Sequence, residues 1–279
     1  MIFRNSDGIG VGQMGGAPVQ VRGNEMEGYI PSAFATSEFY LDVAKGLIAG
    51  HSLKSKFGRN PEVGKTGNHT IWNSGGAYTG FDAVDAQTVT VTSSSTEDGA
   101  GLTGLYTVRL FGLDVNGLPQ TEDITMNGVT SVVSILSYLR MDTAKGITAG
   151  TDGHNVGDIT IRQSVSTEVI FAVMPATYNT TMIAAYTIPA DKVGYLISQK
   201  AAIANKQAAS VDMRIRMRQQ GGLFATQAEA ALNSEGTSFI EQEFKIPKRI
   251  EPMTDMFIEG TASSTVAVAA FFDILLVDI

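Results

Sequence analysis

The stretch Val211-Asp212-Met213-Arg214-Ile215-Arg216-Met217-Arg218 decides how this chain is read. On an extended backbone Val211, Met213, Ile215 and Met217 point one way, and Asp212, Arg214, Arg216 and Arg218 the other. Such alternation predicts a strand with one buried and one polar face, because a helix would scatter the apolar residues around its axis. Comparable patterns recur on both sides of it. Residues 87–92 alternate valine with threonine, and residues 106–113 set Tyr106, Val108, Leu110 and Gly112 on one face. The chain then turns at Asn116-Gly117, a dipeptide suited to a type I′ hairpin, and returns through residues 121–126 to a second Asn-Gly pair at 127–128. Residues 132–141 and 158–162 complete a small antiparallel module. A second series runs through residues 182–188, 194–204, 211–218, 239–246, 254–259 and 266–277. The last of these is apolar on both faces and reads as a central strand. Many short strands separated by Gly, Asn and Pro turns predict an all-β fold, an antiparallel β-sandwich of jelly-roll type.

Composition bounds the function. A chain of 279 residues is long enough for one large domain or two ordinary ones and needs no covalent staples. It has no cysteine, which removes disulfide frameworks, thiolate metal sites and cysteine nucleophiles together. Its 30 glycines are well above average usage and imply many tight turns. Charged residues make up only 17%, a low share for a subunit that must solvate its whole surface alone, so burial against other subunits is expected. The net charge of −8 argues against a broad nucleic-acid footprint, which needs a basic face. The N-terminal residues have no apolar core of a secretory signal, and the longest apolar run, residues 266–272, is far short of a membrane helix. The expected product is a soluble chain made in the cytoplasm.

Three parts follow from this pass. Residues 1–80 read as a Gly-rich N-terminal arm (to about residue 35), a short helix from Ser37 to Leu47, and a docking loop. Residues 81–169 read as the small antiparallel β module. Residues 170–279 read as the jelly-roll-like sandwich.

The segment from Gly58 to Thr66 resembles a phosphate-binding loop, but five residues separate Gly58 from Gly64 where the motif needs four, and no helical period follows. Gly10, Gly12 and Gly15 match the dinucleotide spacing without a strand before or a helix after. His51, His69 and His154 are far apart and have no second ligand at zinc spacing. Asp152, Asn155 and Asp158 gather oxygens in one Gly-rich loop, which leaves a calcium site and a plain turn both open. Glu97-Asp98 and Glu122-Asp123 are adjacent pairs whose members face opposite sides of a strand, so neither forms a dyad. No cofactor, metal or catalytic residue is expected.

The best polar constellation is the row Arg214, Arg216 and Arg218. One reading pairs it across strands with an acidic row such as Glu241 and Glu243. The other makes it a subunit contact in which guanidinium forks select a partner's carboxylates. Phe57, Trp72 and Tyr78 in the loop over residues 57–78 are the corresponding aromatic anchors, with Arg59 beside them, although these rings could equally cap a neighbouring sheet.

Scattered words of this sequence resemble a group of tailed-phage virion structural proteins from double-stranded DNA phages. They include Glu38-Phe-Tyr-Leu-Asp-Val-Ala-Lys-Gly, Lys56-Phe-Gly-Arg-Asn-Pro-Glu-Val-Gly, Val108-Arg-Leu-Phe-Gly-Leu-Asp, Tyr186-Thr-Ile-Pro-Ala and Phe271-Phe-Asp-Ile-Leu-Leu-Val. The resemblance spans most of residues 38–279 and leaves out the Gly-rich start. It implies a particle component rather than an enzyme: a capsid-decorating or cementing protein, or else a collar, portal-vertex or tail-associated one. The implied partners are further copies of itself, as a homotrimer, and major capsid or other virion proteins, without direct nucleic acid or membrane. A host-glycan-binding module is the competing class and would need an exposed aromatic platform. The implied location is the virion, assembled in the host cytoplasm.

Overall fold

A computed structural model gives the fold. It describes the backbone at residues 2–4, 10–14, 17–22 and 25–26, then residues 35–203 and 209–279, with side chains from Phe39 onward. Met1–Ala49 forms one compact unit and Gly50–Ile279 another.

In the first unit β1 (Ile2–Arg4), β2 (Gly10–Met14), β3 (Ala17–Arg22) and β4 (Glu25–Met26) pair in chain order as an antiparallel meander. An irregular arm was expected here. Short alternations such as Val19-Gln20-Val21 are enough to pair with a neighbour, and the rest of the expected arm lies outside the described residues. Helix α1 covers Ala35–Ala44. It stops short of Leu47 because Gly46 takes a left-handed φ of 73° and its N–H turns back to the Val43 carbonyl.

The second unit holds a jelly roll. Its strands are β5 (His51–Val63), β14 (Ala185–Thr187), β15 (Lys192–Ile203), β16 (Ser210–Gln219), β17 (Ala225–Asn233), β18 (Phe239–Ile250), β19 (Thr254–Ala262) and β20 (Val266–Asp278). They form two antiparallel sheets in the orders β5-β20-β15-β18 and β14-β19-β16-β17, with the two-residue β6 (His69–Thr70) added beside β19. The first, last, third and sixth strands thus share one sheet, and the second, seventh, fourth and fifth the other, as two Greek keys require. The core between them takes Val211, Met213, Ile215 and Met217 from β16, and Val266, Val268, Ala270, Phe272, Ile274 and Leu276 from β20. Strand β20 is central, flanked by β15 and β5, as its apolar faces predicted.

A smaller sandwich is inserted between the first two jelly-roll strands. Its strands are β7 (Gln87–Ser93), β8 (Leu105–Leu113), β9 (Pro119–Thr125), β10 (Val132–Tyr138), β11 (Arg140–Ala149), β12 (Ile159–Gln163) and β13 (Ile170–Met174). The sheets β10-β7-β12-β13 and β11-β8-β9 close over Val89, Val91, Leu110, Ile161 and Phe171.

Several expectations change. Residues 51–63 are a strand paired along β20, not a docking loop. Lys56, Gly58 and Asn60 occupy its buried face, so the usual apolar-in pattern is missing and the strand is hard to see in sequence. Ile170–Met174 pairs with β12 and so belongs to the small sandwich. The single strand expected over 132–141 is two, β10 and β11, in different sheets. Strand β17, with Ala, Gln and Glu where β-formers are usual, was not anticipated. At Asn116-Gly117 only the glycine is left-handed (φ 74°), while the Asp114 carbonyl accepts the Gly117 N–H at 3.1 Å. This is a three-residue loop rather than a type I′ turn.

Gly58 is where this packing is tightest. A β-carbon there would run into the Ile71 carbonyl and the Ala184 amide, both backbone and unable to swing away. Gly58→Val should therefore cost about 1–3 kcal/mol or more, read as a lower urea midpoint with an unchanged slope.

Candidate assembly surface

The arginine row finds partners within its own chain. Strand β16 lies between β17 and β19, so its outward residues face theirs. Arg214 Nε sits 3.4 Å from Glu229 on β17, and Arg216 Nη1 donates to Glu259 on β19 at 2.9 Å. Arg218 Nε donates to Asp255 Oδ2 at 3.1 Å, and its guanidinium stacks 4.3 Å above the Phe224 ring. Cross-strand pairing is therefore what the structure shows, but with different carboxylates. Glu241 and Glu243 lie on β18 in the other sheet, where Glu241 pairs with Lys200 at 2.6 Å.

Asp255 is the hub of this network. Completely buried, it accepts Arg140 Nε on Oδ1 at 2.8 Å and Arg140 Nη2 on Oδ2 at 3.0 Å, while the Thr187 hydroxyl donates to Oδ1 at 2.7 Å. Arg140 comes from β11 of the small sandwich, and its Nη1 donates to the Ala83 and Leu139 carbonyls at 2.9 Å each. A fork-to-fork ion pair thus joins the two sandwiches. Phe81, Phe224 and Phe257 pack around it, and the Arg140 guanidinium lies 5.7 Å from the Phe81 ring.

Trp72 and Tyr78 belong to this same interior. Both are buried, their rings meet edge-on at 5.0 Å, and the Tyr78 hydroxyl donates to the Phe171 carbonyl at 2.9 Å. Burial raises the Tyr78 pKa above the usual tyrosine range. These rings are core, not surface anchors, because residues 71–83 carry the chain from one sandwich to the other. The burial of the lone tryptophan also removes it from any glycan-binding platform.

A second ionic joint lies nearby. Lys54 and Lys56 of β5 both reach Asp142 of β11, with Lys56 Nζ 2.9 Å from Oδ1. Burial alone would raise the Asp142 pKa, but Lys56 and Lys54 outweigh it and hold the carboxyl below its ordinary range. Burial in turn lowers Lys56, against the pull of Asp142.

In the loop around Asp152, Asn155 and Asp158 spend side-chain oxygens on the chain itself. Asn155 Nδ2 donates to the Gly157 and Pro175 carbonyls at 2.7 Å, its Oδ1 accepts the Asn179 N–H at 2.9 Å, and Asp158 Oδ1 accepts the Ala176 N–H at 2.8 Å. Among the described residues no group of three His, Cys, Asp or Glu is placed to hold a metal ion.

The surface that stands out is the outward face of β5-β20-β15-β18. Strand registers align Phe57 with Phe271 and Lys200, Leu53 with Leu275 and Tyr195, and Arg59 with Ala269, Ala202 and Phe239. Phe57 and Phe271 stack at 4.6 Å, and Phe239, Phe271 and Leu53 are 52%, 41% and 38% exposed. Of the anticipated contact residues, Phe57 and Arg59 lie on this face, whereas Arg214, Arg216 and Arg218 lie on the other sheet. Phe271, Leu275 and Tyr195 were missed. The signal available for them is the apolar character of the outward positions in residues 266–277.

No family model matches the chain, and no curated protein does. Among solved structures it is similar to that of infectious bursal disease virus Gt strain, with 12% identity, 81% of this chain and 72% of that chain covered, and a TM-score of 0.23. It is similar also to the infectious bursal disease virus VP2 subviral particle, with 10% identity, coverage of 82% and 72%, and a TM-score of 0.24. TM-scores of this size carry no argument about fold or function.

The two ionic joints lead to separable outcomes. Asp255→Ala strands Arg140 and Arg218 in a buried site and should cost about 3–5 kcal/mol, whereas Arg214→Ala at the open end of the row should cost no more than about 1 kcal/mol. Urea unfolding of both variants checks this. Because the Asp142 pKa is depressed in the folded state, its contribution is complete above the ordinary aspartate value of about 3.9 and is lost as pH falls through the folded value. Thermal melts should therefore drop on the acid side, and Asp142→Asn should flatten that limb.

Proposed function

We propose that this protein is a non-catalytic structural subunit of a double-stranded DNA phage virion. In this reading it is a decoration or cement protein that self-associates, as a trimer, and stabilises the head through contacts with neighbouring subunits. The observation that carries the reading is the outward face of β5-β20-β15-β18. Outward positions of a solvated sandwich are ordinarily polar, yet here Leu53, Phe57, Tyr195, Phe271 and Leu275 occupy them on adjacent strands. The Leu53–Leu275–Tyr195 row and the Phe57–Phe271 pair flank the polar row Ser55–Asp273–Ser198, and exposed apolar surface bordered by polar residues marks protein contacts.

Other features support the same conclusion. The low charged fraction of 17% fits a surface largely covered by neighbours. The jelly roll is a rigid frame that can present a surface already formed, so docking need not order a loop, which would cost about 1–2 kcal/mol per residue. The buried ionic groups Arg140, Asp255, Lys56 and Asp142 are engaged with one another, which suits a joint between domains better than a reaction centre. A net charge of −8 favours an outward position on a particle filled with a polyanion. The sequence resemblance to virion structural proteins points the same way.

Quantitative densitometry of purified virions tests the position. Hundreds of copies per particle fit decoration, and a dozen or fewer would move the protein to the collar, portal vertex or tail. Phe271→Glu, at a 41%-exposed site, should leave the fold intact by circular dichroism and abolish binding to heads lacking the protein. Undiminished binding by that variant would remove this face from the interface.

A further inference from the structure

A groove of about 180 Å³ lies where the two sandwiches meet, bounded by β5 on one side and by β11 with residues 180–181 on the other. Lys54, Lys56 and Lys145 line it, together with Ser55, Thr143, Thr180 and Thr181. Asp142 is the carboxylate that meets these lysines, through Lys54 and Lys56. Three lysines against Asp142 and against Asp273, which accepts the groove-lining Ser55 hydroxyl at 2.5 Å, leave a formal excess of one positive charge, in a chain whose net charge is −8.

The donors are not used up. Lys56 places two N–H groups on Asp142, one on its carbonyl and one on Oδ1, which leaves its third free. Lys54 places one on Oδ2 of the same residue. Thr181 Oγ1 accepts the Ala144 N–H at 3.0 Å, so its own hydrogen is available to Thr143 Oγ1, 3.0 Å away, or to a ligand. Thr180 Oγ1 has only a 3.5 Å contact to the Thr181 carbonyl. A partly buried groove rich in donors and short of negative charge is the environment in which an oxyanion is held by charge-assisted hydrogen bonds.

We infer that this groove binds a small free oxyanion of the phosphate or sulfate class, with Lys54, Lys56 and Lys145 neutralising it and the threonine hydroxyls orienting it. The bound anion supplies the negative charge that Asp142 alone does not, and so tightens the contact between β5 and β11. Repulsion of Lys56 by Lys54 and Lys145, which adds to the effect of burial in lowering its pKa, would be relieved by such a ligand. The groove shares Phe57 with the outward apolar face, but anion binding in it does not require the proposed assembly role.

Isothermal titration of the full chain with sodium phosphate tests it, with sodium chloride at equal ionic strength as the reference. Saturable binding to wild type is expected. Binding should be roughly tenfold weaker in Lys145→Ala, the worth of one charge-assisted hydrogen bond. Lys145 is exposed, so that variant should keep its fold and its melting temperature in chloride. Thr180→Ala should weaken binding by a smaller factor. No saturable heat with phosphate beyond that with chloride would overturn the inference, and so would equal affinity in wild type and Lys145→Ala.

Discussion

The two-pronged contact between Arg140 and Asp255 is the constraint on which the arrangement of residues 50–279 depends. Removing both charges from water is strongly unfavourable, and their attraction compensates only when every lone pair and N–H has a partner. Here it is nearly met, with both Asp255 oxygens doubly engaged and four of the five Arg140 N–H groups bonded. Asp255 Oδ1 receives Arg140 and Thr187, Oδ2 receives Arg140 and Arg218, and the remaining Arg140 nitrogen reaches two backbone carbonyls. A planar fork meeting a carboxylate fixes orientation as well as distance. The small sandwich is thereby held in one pose against the outer side of β19, with the Phe81–Phe224–Phe257 cluster sealing the contact from water.

This joint gives the two sheets of the jelly roll different fates. The β14-β19-β16-β17 sheet turns charged residues outward; the inserted sandwich covers Asp255 through Arg140, and Glu259 is buried beside β6 and Arg216. The β5-β20-β15-β18 sheet turns outward a surface rich in leucine, phenylalanine and tyrosine. One sheet spends its charges within the chain, whereas the other leaves Leu53, Phe239 and Phe271 exposed.

Strand β16 was legible because its two faces differ in the simplest way, with aliphatic residues inward and charges outward. Strand β20 was legible because both its faces are largely apolar, with Asp273 as the interruption. Strand β5 was not, since Lys56, Gly58 and Asn60 face inward and are satisfied by Asp142, a close backbone approach and the Thr70 carbonyl. Those partners are distant in sequence or lie in the backbone, and no local pattern reveals them. The same limit applies to the arginine row. Alternation placed its side chains on one face, but only sheet order determines that β17 and β19, not β18, supply the carboxylates. Trp72 and Tyr78 were ambiguous for a related reason, because a Gly- and Asn-rich surrounding reads as surface while the chain there threads between two cores.

The central claim is that a pre-built, apolar β surface joins this chain to further copies of itself. Sedimentation equilibrium of the purified protein over micromolar concentrations tests it most directly. The account predicts a mass that is an integer multiple of 29.6 kDa, three times that value for the trimer. A mass of 29.6 kDa at every concentration would contradict it.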